Sequence, residues 1–512
     1  MVDARLRDRQ GGPRVVGGLL PRGLWATLCG MPGRTPILLS ALALASCAEP
    51  AEPAEFAELC GQTGPVRVLE LAPEERVAAL WGLRGSGERI VVLAGTGEGE
   101  PVFNIPTPAS VTAYSVGRCG EDPVVLGENI VSVREDLRWP GVLLGCRGEL
   151  QGDLVVLDPA GAAEPGLLVP GGCDGDSTAH GLVDIEPIDE TTARVLLYPW
   201  PADPWDGAGA PIVLLEAVQR VGLYWSVRTY EDELFALDAG GAVVRVALAD
   251  GATEVEQYDA LGFSVSQDGR YLLWQDALTS IDDGSGAPVG DLVLRDRVEG
   301  GDSVLGQGSF AKNRPGFRGD HVRIPRGPEL GERVVALPGL EVLDLPPGRR
   351  FVRALDDGRL VVSSDAFTGP WYLMDFQGGE FMVTSSTGSA SLGEDALYVW
   401  EGRDLADPRR PGSYWRYPYD GGPRELLARR MTALSTFLGD ERRVVTTLDI
   451  GDDWVGRLVL VEPETLAERP IDDRVAAAAL LGEAALGPDT IGYSVVDGAR
   501  SGVWVARLAA GE

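Results

Sequence analysis

The sequence predicts an all-β fold, a β-propeller of four-stranded blades, seven or eight in number. Three observations lead there. From about residue 65 the chain is a series of short Val/Leu/Tyr/Trp-rich runs broken by Gly, Asp and Pro, with no long stretch of helical period. One segment then recurs: Trp371-Tyr372-Leu373-Met374-Asp375-Phe376-Gln377-Gly378-Gly379 returns 43 residues later as Tyr414-Trp415-Arg416-Tyr417-Pro418-Tyr419-Asp420-Gly421-Gly422. Asp-Gly and Gly-Asp pairs also stand between paired apolar runs, and they supply the positive φ that a two-residue hairpin demands. Four strands in a unit of forty-odd residues is the pattern of a propeller blade.

The elements follow in chain order. Residues 1–30 are Gly/Arg-rich without a clean apolar period, which makes Met31 a more natural start than Met1. Met31-Pro32-Gly33-Arg34 forms a short positive region before the apolar run Ile37-Leu38-Leu39-Ser40-Ala41-Leu42-Ala43. That run is shorter than the roughly 20 residues needed to span a bilayer. It closes on Leu44-Ala45-Ser46-Cys47, which resembles the lipobox of bacterial lipoprotein signal peptides in every position. The resemblance implies a signal peptide at 31–46, cleavage before Cys47, and acyl chains on the Cys47 thiol. It implies a cell-envelope protein held to a membrane by lipid. Because Ala48 and not Asp follows the cysteine, it also implies sorting to the outer membrane, facing the periplasm or the outside. Residues 47–60 begin with the acidic, Pro-spaced segment Ala48-Glu49-Pro50-Ala51-Glu52-Pro53-Ala54-Glu55 and read as an extended tether. Residues 61–512 form the propeller.

Within the propeller the repeated strand has further copies at Leu234-Phe235-Ala236-Leu237-Asp238-Ala239-Gly240-Gly241, Leu458-Val459-Leu460-Val461 and Val503-Trp504-Val505-Ala506. A unit reads as strand, tight turn, strand, longer loop, strand, tight turn, strand. Phe263-Ser264-Val265-Ser266-Gln267-Asp268-Gly269-Arg270-Tyr271-Leu272-Leu273-Trp274 resembles the signature of TolB-like and WD-repeat-like propellers, and 371–379 looks like the other half of the same repeat. The likeness is good over 347–512 and 263–305 and loose over 76–250. Residues 76–512 hold seven or eight blades with insertions; ten units at strict period is the less usual count. The doubly apolar pairs Val361-Val362 and Val444-Val445 suggest strands buried on both faces, as blades packed face to face require. Pro65-Val66-Arg67-Val68-Leu69-Glu70-Leu71 reads as an extra strand completing the last blade. A pair of β-sandwiches is the competing fold, disfavoured by the fixed period.

Composition narrows the partners. The chain carries 45 basic and 77 acidic residues, a net charge of −32. Such a field repels nucleic acid, so a nucleic-acid partner is excluded. Lys312 is the only lysine, so there is no Gly-Lys-Ser/Thr phosphate loop. Besides Cys29 and Cys47 the cysteines are Cys60, Cys119, Cys146 and Cys173. In an exported chain that even set suggests two disulfides, with three connectivities open.

In a four-stranded meander the first and third turns share one side. The second-to-third loops lie on the other, with the links between blades. The long loops 276–291, 365–370, 401–413, 449–456 and 497–502 should therefore gather at one mouth of the channel. They bring Asp276, Asp282, Asp283, Asp404, Asp407, Asp449, Asp452, Asp453 and Trp454 to a rim suited to a cation, a sugar or a basic peptide. Calcium is conceivable at such oxygen-rich loops, but no complete D-x-D-x-D-G loop occurs and no cofactor is expected. Trp200 and Trp205 stand in a Pro-rich insertion that either caps the body or presents a contact surface. With only His180 and His321, and neither G-x-S-x-G nor H-E-x-x-H, catalytic machinery is thin. The leading expectation is a membrane-anchored binding or assembly module with a protein or glycan partner. The alternative is a propeller-type hydrolase or lyase acting on envelope glycan, lactone or peptide through carboxylates or a bound metal.

Overall fold

Along the strand Glu233–Leu237, Leu234 and Ala236 enter one hydrophobic core while Phe235 and Leu237 enter another. Successive side chains on a strand point to opposite faces, so an unbroken apolar run is what a sheet sandwiched between two others requires. The same alternation explains the paired valines. Val361 faces the core shared with Leu397 and Val399, and Val362 the core shared with Val334. Val444 packs with Tyr398, and Val445 with Ile491 and Tyr493.

In the computed structural model the described residues are 52–83, 89–97, 99, 108, 110–121, 123–136, 138–148, 152–221, 224–278, 288–311, 314–326, 330–364, 369–386, 388–402, 407–432, 434–438, 443–476 and 485–509. The expected lipidation site Cys47 and the loop residues Asp282, Asp283 and Asp404 lie outside them. The described chain is a succession of antiparallel meanders: 76–128, 130–169, 176–225, 227–257, 263–308, 316–344, 350–384, 389–431 and 435–476, then 485–507 joined by the strand Val66–Glu70. We number these blades 1 to 10. Each has four strands except blade 3, which has five. Blades 9 and 10 are bridged by a single pair, Val475 opposite Val495, and so share one eight-stranded sheet.

Ten hydrophobic cores link these blades in a cycle. Blade 1 packs on blade 2 through Val91, Leu93 and Ile130, and the series continues to blades 9 and 10 through Leu460 and Tyr493. The last core joins Val503 and Val505 of blade 10 to Val77, Ile90 and Val92 of blade 1. The all-β propeller class stands as expected. The count is larger than the seven or eight blades expected. The excess comes from 76–257, where the turn signals are weak and insertions were anticipated. Four complete blades form there, because blade formation needs apolar residues for two flanking cores and does not need a particular turn sequence.

The N-terminal strand completes blade 10 as the sequence suggested, with Val66 opposite Val505 and Glu70 opposite Gly502. This closes the ring and covers the edge that the strand Gly502–Arg507 would otherwise expose. The segment read as a tether differs near its end. Ala54 is buried and donates to the Pro470 carbonyl, Phe56 bridges Leu508, and Ala509 donates to the Glu55 carbonyl. From Ala54 onward the acidic segment is therefore part of the body, drawn down by backbone groups at the chain's other end that need partners. Cys60, in the turn between Glu58–Leu59 and Gln62–Thr63, is disulfide-bonded to Cys119 beyond the third strand of blade 1. The turns fall as the repeat implied: Gly378 and Gly421 hold φ of 85° and 80° in the tight turns after Asp375 and Asp420.

Candidate functional site: the loop-rich face and its opposite

The long loops of blades 8 and 9 meet through one arginine. Arg409 donates from Nε to Asp407 (2.9 Å) and from Nη1 to Asp452 (2.9 Å), and its guanidinium lies 5.5 Å from the Trp454 ring centre. Asp407 is held below the usual carboxylate range chiefly by that Arg409 hydrogen bond. Asp449 accepts from Arg430 (2.6 Å) and Arg457 (3.2 Å), and Asp453 is 3.5 Å from Arg474. On the next blade Arg500 donates to the buried carboxylate of Asp472, which also accepts from Tyr493 Oη at 3.2 Å. Burial pushes the Tyr493 phenol far up, with the Asp472 charge adding to the effect. Asp407, Asp452 and Trp454 are thus linked through Arg409, while Asp449 and Asp453 pair with other arginines. They form an arginine–carboxylate lattice in place of a bare acidic mouth. Asp276 lies apart from this lattice, at the end of the second strand of blade 5. Among the described residues no group of three or more His, Cys, Asp or Glu side chains is placed to hold a metal ion.

The tryptophan insertion packs inward. Trp200 donates Nε1 to the Thr178 carbonyl (2.7 Å), meets Trp139 edge-on at 5.5 Å, and carries the Arg138 guanidinium 3.8 Å above its ring. Trp205 sits at the core between blades 2 and 3, and Asp203 caps its short turn by accepting from the Trp205 amide at 3.0 Å. Of the two readings of this insertion, capping is the one seen. Each histidine has a neighbour of its own. His180 Nε2 lies 2.9 Å from Asp232, and His321 stands between Phe351 and Phe376. Cys146 and Cys173 are free thiols that sit together, with Cys146 Sγ 3.9 Å from the Cys173 carbonyl oxygen. The two disulfides anticipated are therefore one bond plus one adjacent, unjoined pair.

Sequence reasoning assigned nothing to the opposite, tight-turn face, where a cavity of about 320 Å³ opens between blades 7 and 8. Its walls come from three turns: Leu355–Arg359, the Glu394-Asp395 turn, and Pro418-Tyr419-Asp420. The signal was present as acidic pairs in successive turns. Only the packing of two blades shows that these turns enclose a space.

No family model matches the chain, and no curated protein matches its sequence. Several solved structures are similar. Dipeptidyl peptidase 4 of Porphyromonas gingivalis aligns at 12% identity over 66% of this chain and 59% of its own, with a TM-score of 0.36. TolB from Acinetobacter baumannii aligns at 14% identity over 57% of this chain and 77% of its own, with a TM-score of 0.23. The β-propeller domain of Myceliophteria thermophila Cps50 (Swd1) aligns at 12% identity over 57% of this chain and 98% of its own, with a TM-score of 0.24. The chain thus spans about three-fifths of the length of the peptidase it matches. At these identities the likeness concerns the fold alone.

Proposed function

We propose that the protein is a lipid-anchored component of the bacterial cell envelope whose propeller serves as a binding or assembly module, engaging a protein or glycan through its loop-rich face. The observation that carries this reading is the Arg409 bridge. It ties loops of two adjacent blades into one surface, with Trp454 and exposed carboxylates presented together. Surfaces that recognise partners combine an aromatic anchor with charged groups in this way. The Cys47 motif supplies the anchor and the outer-membrane address.

The test pairs two variants in the native host. Cys47→Ala is expected to move the protein from the membrane to the soluble fraction. Trp454→Ala, with the anchor intact, is expected to lose at least tenfold in capture of whatever co-purifies with the wild type. A Cys47→Ala form that stays with the membrane overturns the anchor. Unchanged capture by Trp454→Ala overturns the assigned face.

A further inference from the structure

Cys146 and Cys173 stand 27 positions apart in the chain and meet at the joint of blades 2 and 3. Cys146 lies in the second strand of blade 2, Leu143–Arg147, opposite Leu154 of the third strand. Cys173 lies in the short turn Gly172–Asp174, on the link that leads from blade 2 into blade 3. Its amide donates to the Gly152 carbonyl at 3.1 Å, and its thiol donates to the Asp153 carbonyl at 3.3 Å. The Cys146 thiol in turn reaches the Cys173 carbonyl oxygen at 3.9 Å. The link therefore sits directly on the strands that carry Cys146.

Its backbone is fixed from both sides. A Cβ at Gly172 would stand 2.7 Å from Val169 and 2.8 Å from Leu182, and one at Gly175 would stand 2.7 Å from Leu182. Glycine is what lets the turn pass this close between the last strand of blade 2 and the second strand of blade 3. Gly171, at a φ of 67°, donates its amide to the Asp153 carboxylate at 3.1 Å. A disulfide needs a backbone that already brings its two side chains together, and this one does. Both cysteines are half-buried free thiols, within reach of a small reagent. Burial first, and then a hydrogen bond with the Cys146 thiol, push the Cys173 thiol up. That leaves the first nucleophilic attack to Cys146.

We propose that Cys146 and Cys173 form a reversible disulfide, a redox-responsive clasp that fastens the link between blades 2 and 3 onto blade 2. The oxidant is a second disulfide, free or on a carrier protein. The Cys146 thiol gives its proton to solvent and attacks one sulfur of that disulfide, expelling the other half as a thiolate that takes up a proton. Cys173 then loses its proton and attacks Cys146 Sγ, and the second half leaves as a thiol. Two protein thiols are oxidised while one disulfide is reduced to two thiols. In the cell the supply of oxidant rests on the export reading given above; the geometry of the pair does not.

The test uses the full chain carrying Cys29→Ser and Cys47→Ser, so that no other thiol competes, purified with the pair open as in this structure. It is equilibrated with glutathione and glutathione disulfide at graded ratios, alkylated and mapped by mass spectrometry. The peptides of Cys146 and Cys173 are expected to be joined in most molecules at the oxidising end and separate at the reducing end. Adding Cys173→Ser should lower Tm by about 2 °C more in the oxidised state than in the reduced one. Comparing the two states cancels the effect of the serine itself and of the Cys60–Cys119 bond, which both proteins share. Cys146 and Cys173 both still open to alkylation at the oxidising end overturn the proposal. So does glutathione retained on Cys146 beside a free Cys173, or a bond from either residue to Cys60 or Cys119. An equal Tm difference in the two states overturns the clasp. The peptide map needs no variant at Cys173, so a Cys173→Ser form that fails to fold does not protect the proposal. None of these results bears on the anchor or on the loop face, whose tests read membrane fractionation and capture by Trp454→Ala.

Discussion

Val66 lies directly opposite Val505, so a strand near the start of the folded body is hydrogen-bonded to the strand that ends it. Both side chains are buried in the core that joins blade 10 to blade 1. Every other blade is made from contiguous sequence. Only this one depends on the two ends of the domain finding each other.

Weakening that closure should lower the stability of the whole ring. Leu69 is buried in the same core. Leu69→Ala is expected to cost about 2–5 kcal/mol, the range for truncating a packed leucine. A solvent-facing control, Glu70→Ala, should stay within about 0.5 kcal/mol. Chemical denaturation of the two variants beside wild type measures both values.

The Cys60–Cys119 bond pins the N-terminal segment beside blade 1, with 59 residues of separation between its halves. On the chain-entropy account a loop of that size contributes about 4 kcal/mol. Cys119→Ser should therefore lower Tm and make the stretch around Ala54–Leu59 sensitive to protease. Adding reductant to wild type should reproduce the shift, and adding it to the variant should do little. Thermal melts with and without reductant, followed by peptide mapping, check both statements.

Glu332 is a buried charge at the joint of blades 6 and 7. It accepts from Arg323 Nε at 3.0 Å and from the Phe351 amide at 2.8 Å, with 5% of its surface exposed. Removing one partner of a buried pair strands the other charge. Glu332→Ala is expected to destabilise by about 3–5 kcal/mol, and Glu332→Gln, which keeps an acceptor for the Phe351 amide, by less. A larger loss in the glutamine form would show that this carboxylate does not join the two blades.

His321 has its pKa lowered by burial between Phe351 and Phe376, with Asp320 opposing the shift. The unfolded chain then binds the proton more readily than the folded one. The contribution of His321 to stability is complete above its ordinary value of about 6.5 and falls as pH drops below it. His321→Phe keeps the aromatic stack and removes the titration. The difference in Tm between wild type and variant should therefore change between pH 7 and pH 5, with wild type losing more. A pH-independent difference would overturn the assignment.

The repeat was legible because each blade must present apolar residues to two neighbours, which writes doubly apolar runs such as Val361-Val362 and Val444-Val445 into the sequence. Tight turns needing positive φ wrote Gly378 and Gly421 into fixed places. Where turns could be built otherwise, as over 76–257, the period blurred and the number of blades was underestimated. Asp407, Asp452 and Trp454 were legible in the sequence as members of long second-to-third-strand loops, on strand parity alone. Their neutralisation was not, because Arg409 stands in the same loop as Asp407 and nothing local says which loop its second donor will reach.

Taken alone, the sequence determined the all-β class, the four-stranded unit and the motif at Cys47. All of these depend on local pattern, read within one repeat or one short segment. The tertiary structure decided the number of blades, the Cys60–Cys119 pairing, the inward turn of Trp200 and Trp205, and the cleft between blades 7 and 8. Each of these is a relation between segments far apart in the chain, set by which surfaces close on one another once ten sheets share their cores.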